Sequence, residues 1–424
     1  LKDIYMSQFR FARLSLLAAL LGVNMAPSFL GTASTAYAAD ANIVGKAVGE
    51  PLKAAQTDIK NGKYKEALAK IREADAVSGK SSYETYVIEY TRAAAAQGAG
   101  DNDLAAKSYE AVINSDHLAG AAKSKIIQAL GEMYYRAGSY PKAIVWLTRY
   151  ISEGGDDPHM RPLLLNAYYA NGEYARAGKE VLAQIQADEK AGRTPSDEEL
   201  QMYASCALKQ GDKAGYSLAL EKMATYHPKK EMWVDLMNRL EAKPGFNDSH
   251  LALDVFRFKL AIGAVTSTGD FMNMAELALQ AGYPSEAKKI IDQAFKSGAF
   301  GSGAEASRQK RLQDLAVKNT TEDMKTLPQT EADASKAKDG NALVNVGYDY
   351  VTIGQVGKGI TLIEQGIEKG DLKRPDDAKL HLALAYLQDN KKPKALQTFK
   401  SVQGTDGTAE IAHYWILETN HPVN

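Results

Sequence analysis

An all-α fold, an α-solenoid built as a superhelix of about ten helix-turn-helix repeats, is predicted by three observations. First, a short phrase recurs between helical patterns: Gly62-x-Tyr64-x-x-Ala67, Gly138-x-Tyr140-x-x-Ala143, Gly172-x-Tyr174-x-x-Ala177 and Gly282-x-Pro284-x-x-Ala287. Second, the copies fall at an average spacing of about 36 residues, the length of a helix-pair repeat. Third, apolar residues upstream of the turns run large, small, then aromatic at helical spacing, as in Leu130, Gly131 and Tyr134, or Leu382, Ala383 and Tyr386. Alternating runs long enough for a useful strand are missing.

The physics of one unit accounts for the phrase. Gly or Asn ends the first helix in the left-handed conformation at little cost, so the chain reverses within a few residues. Ala five positions later lies where the two backbones approach, and a larger side chain there would hold them apart. Tyr two positions after the Gly covers the turn.

In chain order the first element is a leader. Arg10 and Arg13 precede the apolar run Leu14 to Val23, and a small-residue stretch ends in Ala36, Ala38 and Ala39. That is the order of a secretory signal peptide over residues 1–39, cut after Ala38 or Ala39. Met6 reads as a better initiator than Leu1. The run is shorter than the ~20 apolar residues of a membrane span, and no Cys follows to take a lipid. A periplasmic or secreted protein without an integral membrane anchor is therefore expected.

Residues 40–297 carry units one to seven. Their turns are at Gly62, Gly100, Gly138, Gly172, Gly211 and Gly282, with Gly245 inferred at the midpoint of a double-length gap. Ser196 and Glu199 are spaced as a capping box that starts a helix after a longer connection. Residues 298–340 read as a divergent repeat and a possible hinge: a Gly-rich stretch ends at Gly303, an inferred turn falls at Asn319, and Pro328 interrupts a polar helical pattern. Residues 341–424 carry turns at Gly354 and Asn390, then a capping helix, Ala409 to Glu418, with Tyr414, Trp415 and Leu417.

Composition narrows the function. Of 424 residues, 51 are Lys or Arg and 52 Asp or Glu, a formal net charge of −1. Such a surface neither steers toward nor tracks a phosphate backbone, so nucleic acid is not an expected partner. The single Cys206 lies at a small-residue position of a first helix and reads as buried and structural. The seven histidines form no pair at helical spacing, and no HExxH or Cys cluster occurs, so neither metal nor cofactor is expected. Gly357 and Lys358 are followed by Gly359 rather than Ser or Thr, so the loop from Gly354 does not make a phosphate cradle. A peptidoglycan-cleaving enzyme would need a lysozyme-like domain, and no segment is left over to form one. No catalytic residue is assigned, and the chain is not expected to be an enzyme.

The order Leu-Gly or Leu-Ala, Tyr, then Gly-x-Tyr-x-x-Ala resembles the tetratricopeptide repeat family, in phase from about Ala47 to Val402. Tyr109, Pro228 and Phe399 also match its pattern, while Tyr216, His250, Met324 and Gly359 stand where the family prefers Ala. The resemblance implies that residues about six before each turn Gly, and their neighbours a helical turn away, face a concave groove. Here those are Gln128, Glu132, Tyr135, Asn166, Tyr169, Gln201, Ser205 and Arg239. Tyr supplies contact area at low entropy cost, and Asn, Gln and Arg bond main-chain amides. Members that clamp an acidic C-terminal tail carry a Lys where this chain has Pro162, and polar residues where it has Met202, Met232 and Leu236, so that ligand is disfavoured. The expected function is a non-enzymatic periplasmic scaffold for a protein or peptide partner in the cell envelope. The alternative is binding of cell-wall or exopolysaccharide, with Tyr135, Tyr169 and Tyr348 as stacking platforms.

Overall fold

Glycines and alanines at the expected positions bend the chain into hairpins throughout. The structure, a computed structural model, describes residues 42–246 and 248–422; the expected leader lies outside them. The described residues form twenty α-helices and no strand. Nine hairpins account for eighteen of these helices. They are α1 (Lys46–Lys60) with α2 (Tyr64–Asp75), α3 (Ser82–Ala99) with α4 (Asn102–Ile113), α5 (Gly120–Arg136) with α6 (Tyr140–Ser152), and α7 (Met160–Ala170) with α8 (Tyr174–Lys190). After them come α9 (Asp197–Gln210) with α10 (Lys213–Tyr226), α11 (Lys230–Glu241) with α12 (Asp248–Ala261), and α13 (Thr268–Gln280) with α14 (Pro284–Lys296). Beyond the single helix α15 (Ala306–Lys336), α16 (Asn341–Thr352) pairs with α17 (Val356–Lys369) and α18 (Pro375–Gln388) with α19 (Lys392–Lys400), and α20 (Thr408–Asn420) ends the fold.

The turn chemistry operates as expected. Gly100 and Gly211 end α3 and α9 in the left-handed region, with φ of 79° and 70°. The inferred turn at Gly245 is also real, with a φ of 93°. Ala67, Ala105, Ala143, Ala177, Ala287 and Ala395 are fully buried between paired helices. Ser196 and Glu199 form the capping box that starts α9.

Two positions that depart from the Ala pattern are resolved by a buried glycine. In the fifth hairpin Gly215, one residue before Tyr216, is buried, and Tyr216 stays partly exposed. At Gly359 an added Cβ would lie 2.5 Å from the carbonyl oxygen of Gly347, so glycine there lets α16 and α17 pack backbone to backbone.

Residues 298–340 differ from expectation. The chain stays helical through Asn319, and α15 runs for 31 residues with Pro328 inside it. Asn319 has no left-handed residue beside it to reverse the chain, and the hydroxyls of Thr320 and Thr321 bond back to the carbonyls of Ala316 and Val317. One apolar stripe, Leu312, Ala316, Leu327 and Ala334, is buried along its length. Met324, at the position of the family's Ala, is 54 % exposed. The ten expected units are thus nine hairpins and one unpaired helix.

The chain divides into two compact units between Glu180 and Val181, inside α8, rather than at residues 298–340. In the first, hairpin stacks on hairpin around a core that includes Val48, Leu52, Ile71, Val87 and Ile88. Each such side chain contributes about 1.5–3 kcal/mol when fully buried. In the second, α20 caps α19 as expected, and it also packs against α10, α12 and α18. Trp415 meets Phe258 edge-on with ring centres 5.1 Å apart, Tyr414 meets Trp233 at 6.2 Å, and His413 contacts Glu221 at 3.2 Å. The end of the chain therefore closes on helices much earlier in sequence. Among the described residues no helix is long and apolar enough to cross a membrane.

Candidate functional site

The eight groove residues expected from the repeat register are all partly buried, and the division of the chain separates them. Gln128, Glu132, Tyr135, Asn166 and Tyr169 belong to the first unit, on α5 and α7. Gln128 donates from Nε2 to Asp157 at 2.8 Å and to Glu132 at 3.3 Å, and Arg136 donates to Glu132 at 2.9 Å. Tyr135 meets Tyr140 edge-on at 5.7 Å, and Tyr169 meets Tyr174 at 5.1 Å. The recurring turn Tyr thus braces the Tyr near the end of the helix before it. Burial, and then the neighbouring Tyr140, push the Tyr135 hydroxyl above its ordinary pKa, so it stays a neutral donor.

The same unit holds an aromatic row absent from the expected set. Tyr83, Tyr86 and Tyr90 follow one another along α3 with ring centres 5.8 and 6.0 Å apart, and His117 lies 5.5 Å from both Tyr83 and Tyr86. All three tyrosines are partly exposed. Their spacing of three and four residues was legible in the sequence, and Tyr90 holds the register on α3 that Gln128 holds on α5.

In the second unit, Gln201 donates to Asp197 at 2.8 Å. Arg239 donates from Nε to Asp235 at 3.0 Å and lies 4.0 Å from the centre of the Tyr216 ring, whose hydroxyl donates to Asp235 at 3.0 Å. Arg239 thus forms a local triad with Asp235 and Tyr216. Ser205 is partly buried on α9. Cys206 is fully buried, and burial pushes its thiol up to about 11, which fits the structural role.

A buried ionic centre lies deeper in this unit. Arg257 of α12, 8 % exposed, donates a two-pronged pair of bonds to Glu286 at 2.8 and 2.6 Å and a third to Asp254 at 2.7 Å. Asp254, 2 % exposed, is also 3.1 Å from His381 Nε2. Burial alone would raise the Asp254 carboxyl; its contacts with His381 and the Arg257 guanidinium outweigh that and hold the group well below the usual carboxylate range. The rings of Tyr348 and His381 stack at 4.5 Å, with the Arg257 guanidinium 4.7 Å from the Tyr348 ring centre. Beside the centre opens a cavity of about 750 Å3, with His250, Asp254, Arg257, Asn345, Arg374 and His381 on its wall.

Residues 90–160 match the tetratricopeptide repeat family model. That stretch carries tetratricopeptide repeats. The matched stretch runs from within α3 to the start of α7, and helical hairpins flank it on both sides. Similar solved structures include a tetratricopeptide repeat protein from Parabacteroides merdae, 12 % identical over 80 % of this chain and 99 % of that one, with a TM-score of 0.29. Yeast Tom70 is 11 % identical over 88 % of this chain and 96 % of that one, at a TM-score of 0.25. The TPR2AB domain of yeast Sti1, described as a pHSP90 complex, is 13 % identical over 71 % of this chain and 98 % of that one, at 0.24. No curated protein matches the chain.

The expected residues have separate fates. Gln128, Glu132, Tyr135, Asn166 and Tyr169 share the first-helix stripe of one unit, and Gln201, Ser205 and Arg239 belong to the other. Tyr348, a platform in the glycan alternative, is buried against His381 and is unavailable to stack on a sugar.

Proposed function

We propose that this protein is a non-catalytic scaffold of the cell envelope that holds a partner protein or an extended peptide along the first helices of its N-terminal unit. One observation carries the reading: three successive first helices, α3, α5 and α7, present partly buried Tyr, Gln and Asn side chains in the repeat's groove register, with Tyr135 and Tyr169 braced from below by turn tyrosines. Rings held in place lose little freedom on binding, and half-buried tyrosines are the kind of side chain that anchors an interface. Export rests on the leader, residues 1–39.

The test is affinity capture from crosslinked envelope extract with the mature protein beside a Tyr135→Ala, Asn166→Ala, Tyr169→Ala variant. A protein recovered by the first is expected to bind the variant at least ~30-fold more weakly, the loss of one anchor of about 2 kcal/mol. Equal recovery contradicts the groove, and recovery of glycan alone selects the polysaccharide reading, for which the Tyr83, Tyr86 and Tyr90 row is the remaining platform. N-terminal sequencing of the protein from the periplasmic fraction is expected to start at Ala39 or Asp40. An uncut chain confined to the cytoplasm contradicts export.

A further inference from the structure

His250 breaks the repeat pattern, standing five residues after the Gly245 turn where the family carries Ala. In the structure it converges with two carboxylates from distant parts of the second unit. Asp377 comes from α18, and Asp406 from the loop before α20. One donor atom from each of the three lies within 4.8 Å of the others. His250 Nε2 is 3.5 Å from Asp377 Oδ2 and 3.1 Å from Asp406 Oδ2.

The imidazole is poorly served as it stands. Its side chain is 7 % exposed, yet neither ring nitrogen has a hydrogen-bond partner: both carboxylate oxygens are at contact distance and neither meets the ring N–H in bonding geometry. Leaving a buried polar group unsatisfied costs about 1–3 kcal/mol. Oxygens that flank a nitrogen rather than face it are arranged as ligand atoms around a common centre are. Bonds of ~2.0–2.2 Å in a tetrahedron keep neighbouring N and O ligands roughly 3.3–3.5 Å apart, close to the separations observed here.

The carboxylates are oriented for the same centre. Thr408, fully buried at the start of α20, donates from its backbone N–H and its hydroxyl to Oδ1 of Asp406 at 3.2 and 2.6 Å. The same hydroxyl is 3.5 Å from Oδ1 of Asp377. Each Asp therefore has one oxygen turned to Thr408 and the other turned to His250, the arrangement by which outer partners aim metal ligands. Arg374 Nη1 is 4.0 Å from Asp377 Oδ2, on a side chain that is mostly exposed.

We infer that His250, Asp377 and Asp406 bind a first-row divalent cation, zinc by preference, with Thr408 as a positioning residue. One N and two O donors suit such an ion, and the affinity order places zinc above manganese or iron. His250 and Asp377 also line the 750 Å3 cavity, so a fourth coordination position is reachable from it. The ion ties α12, α18 and the approach to α20 together, which makes it a clasp on the closure of this unit. No local spacing could reveal the site, because its ligands come from three separate segments.

The full mature chain, stripped with a chelator, is titrated with Zn2+ by calorimetry and with Co2+ by visible absorption. One equivalent of Zn2+ is expected, with a rise in Tm, and Co2+ is expected to give the intense visible bands of a four-coordinate site. Asp406→Asn and His250→Ala each abolish the stoichiometric site, and Thr408→Val weakens it by about 10–100-fold. Asp406→Asn keeps the side chain's shape at a partly exposed position, so it decides the matter if His250→Ala fails to fold. Absence of stoichiometric binding of either ion to the wild-type chain overturns the inference and leaves His250 as an ion-pair partner. Equal binding by wild type and Asp406→Asn also overturns it, since other histidines then hold the ion.

Discussion

Arg257 sits at the centre of the buried charges of the second unit. It answers two carboxylates, Asp254 and Glu286, with its own side chain and that of Asp254 almost fully buried, and its loss leaves Asp254 without its guanidinium partner. Removing one partner of a buried ion pair costs about 3–5 kcal/mol, so Arg257→Met is expected to lower stability by that amount in urea denaturation, and a loss under about 1 kcal/mol would contradict the account. A second residue-scale prediction concerns Asp349 on α16, whose carboxyl is pushed up to about 7 by burial and then by the charge of Asp323 on α15. Between about pH 4 and 7 the folded chain holds a proton there that the unfolded chain has released. Stability is then full at the acid end, falls at up to ~1.4 kcal/mol per pH unit as the pH rises, and levels off above 7. Asp349→Asn is expected to flatten that slope in denaturation curves across this range; an unchanged slope would place the titration elsewhere. Neither centre was legible in the sequence. Asp254, Arg257, Glu286 and His381 read as ordinary charged positions on separate helices, and only the closure of the second unit brings them together.

At the scale of the element, turn chemistry made nearly everything readable. A left-handed Gly followed five residues later by a small buried residue gave the hairpins because both features are local. The failure came at α15, where the expected turn at Asn319 had only spacing behind it and no glycine. The tightest pair, α16 with α17, is readable in hindsight from Gly347, Gly359 and Gly366, which occupy the close approach. Gly359→Ala places a Cβ 2.5 Å from a backbone oxygen and is expected to cost about 1–3 kcal/mol through forced separation of the helices. Gly357→Ala, two residues earlier in the same helix with open space around it, is expected to stabilise by about 0.5–1 kcal/mol through helix propensity alone. Thermal denaturation of the two variants checks the pair, and equal shifts would mean that the backbone contact is not tight.

The molecule as a whole is more than a run of repeats stacked on nearest neighbours. The second unit joins its end to its beginning through Trp415 against Phe258, Tyr414 against Trp233, and the ion pair of Lys243 with Glu410. Deleting residues from 405 onward is therefore expected to expose apolar surface on α10 and α12 as well as α19, and to leave an aggregating product. A soluble monomer of unchanged stability would show that α20 is dispensable. The family register assigns the proposed groove of the first unit helix by helix, while the aromatic row on α3 precedes a weaker turn phrase at Gly100 and draws no signal from it. The central claim is that this first-helix stripe holds the partner. It is tested most directly by photo-crosslinking in cells, with the crosslinking amino acid placed at Tyr135 or Tyr169, and at Lys179 on the exposed side of α8. The account predicts that one and the same protein is captured from Tyr135 and Tyr169 and not from Lys179. Capture from Lys179 alone, with nothing from either tyrosine position, would contradict it.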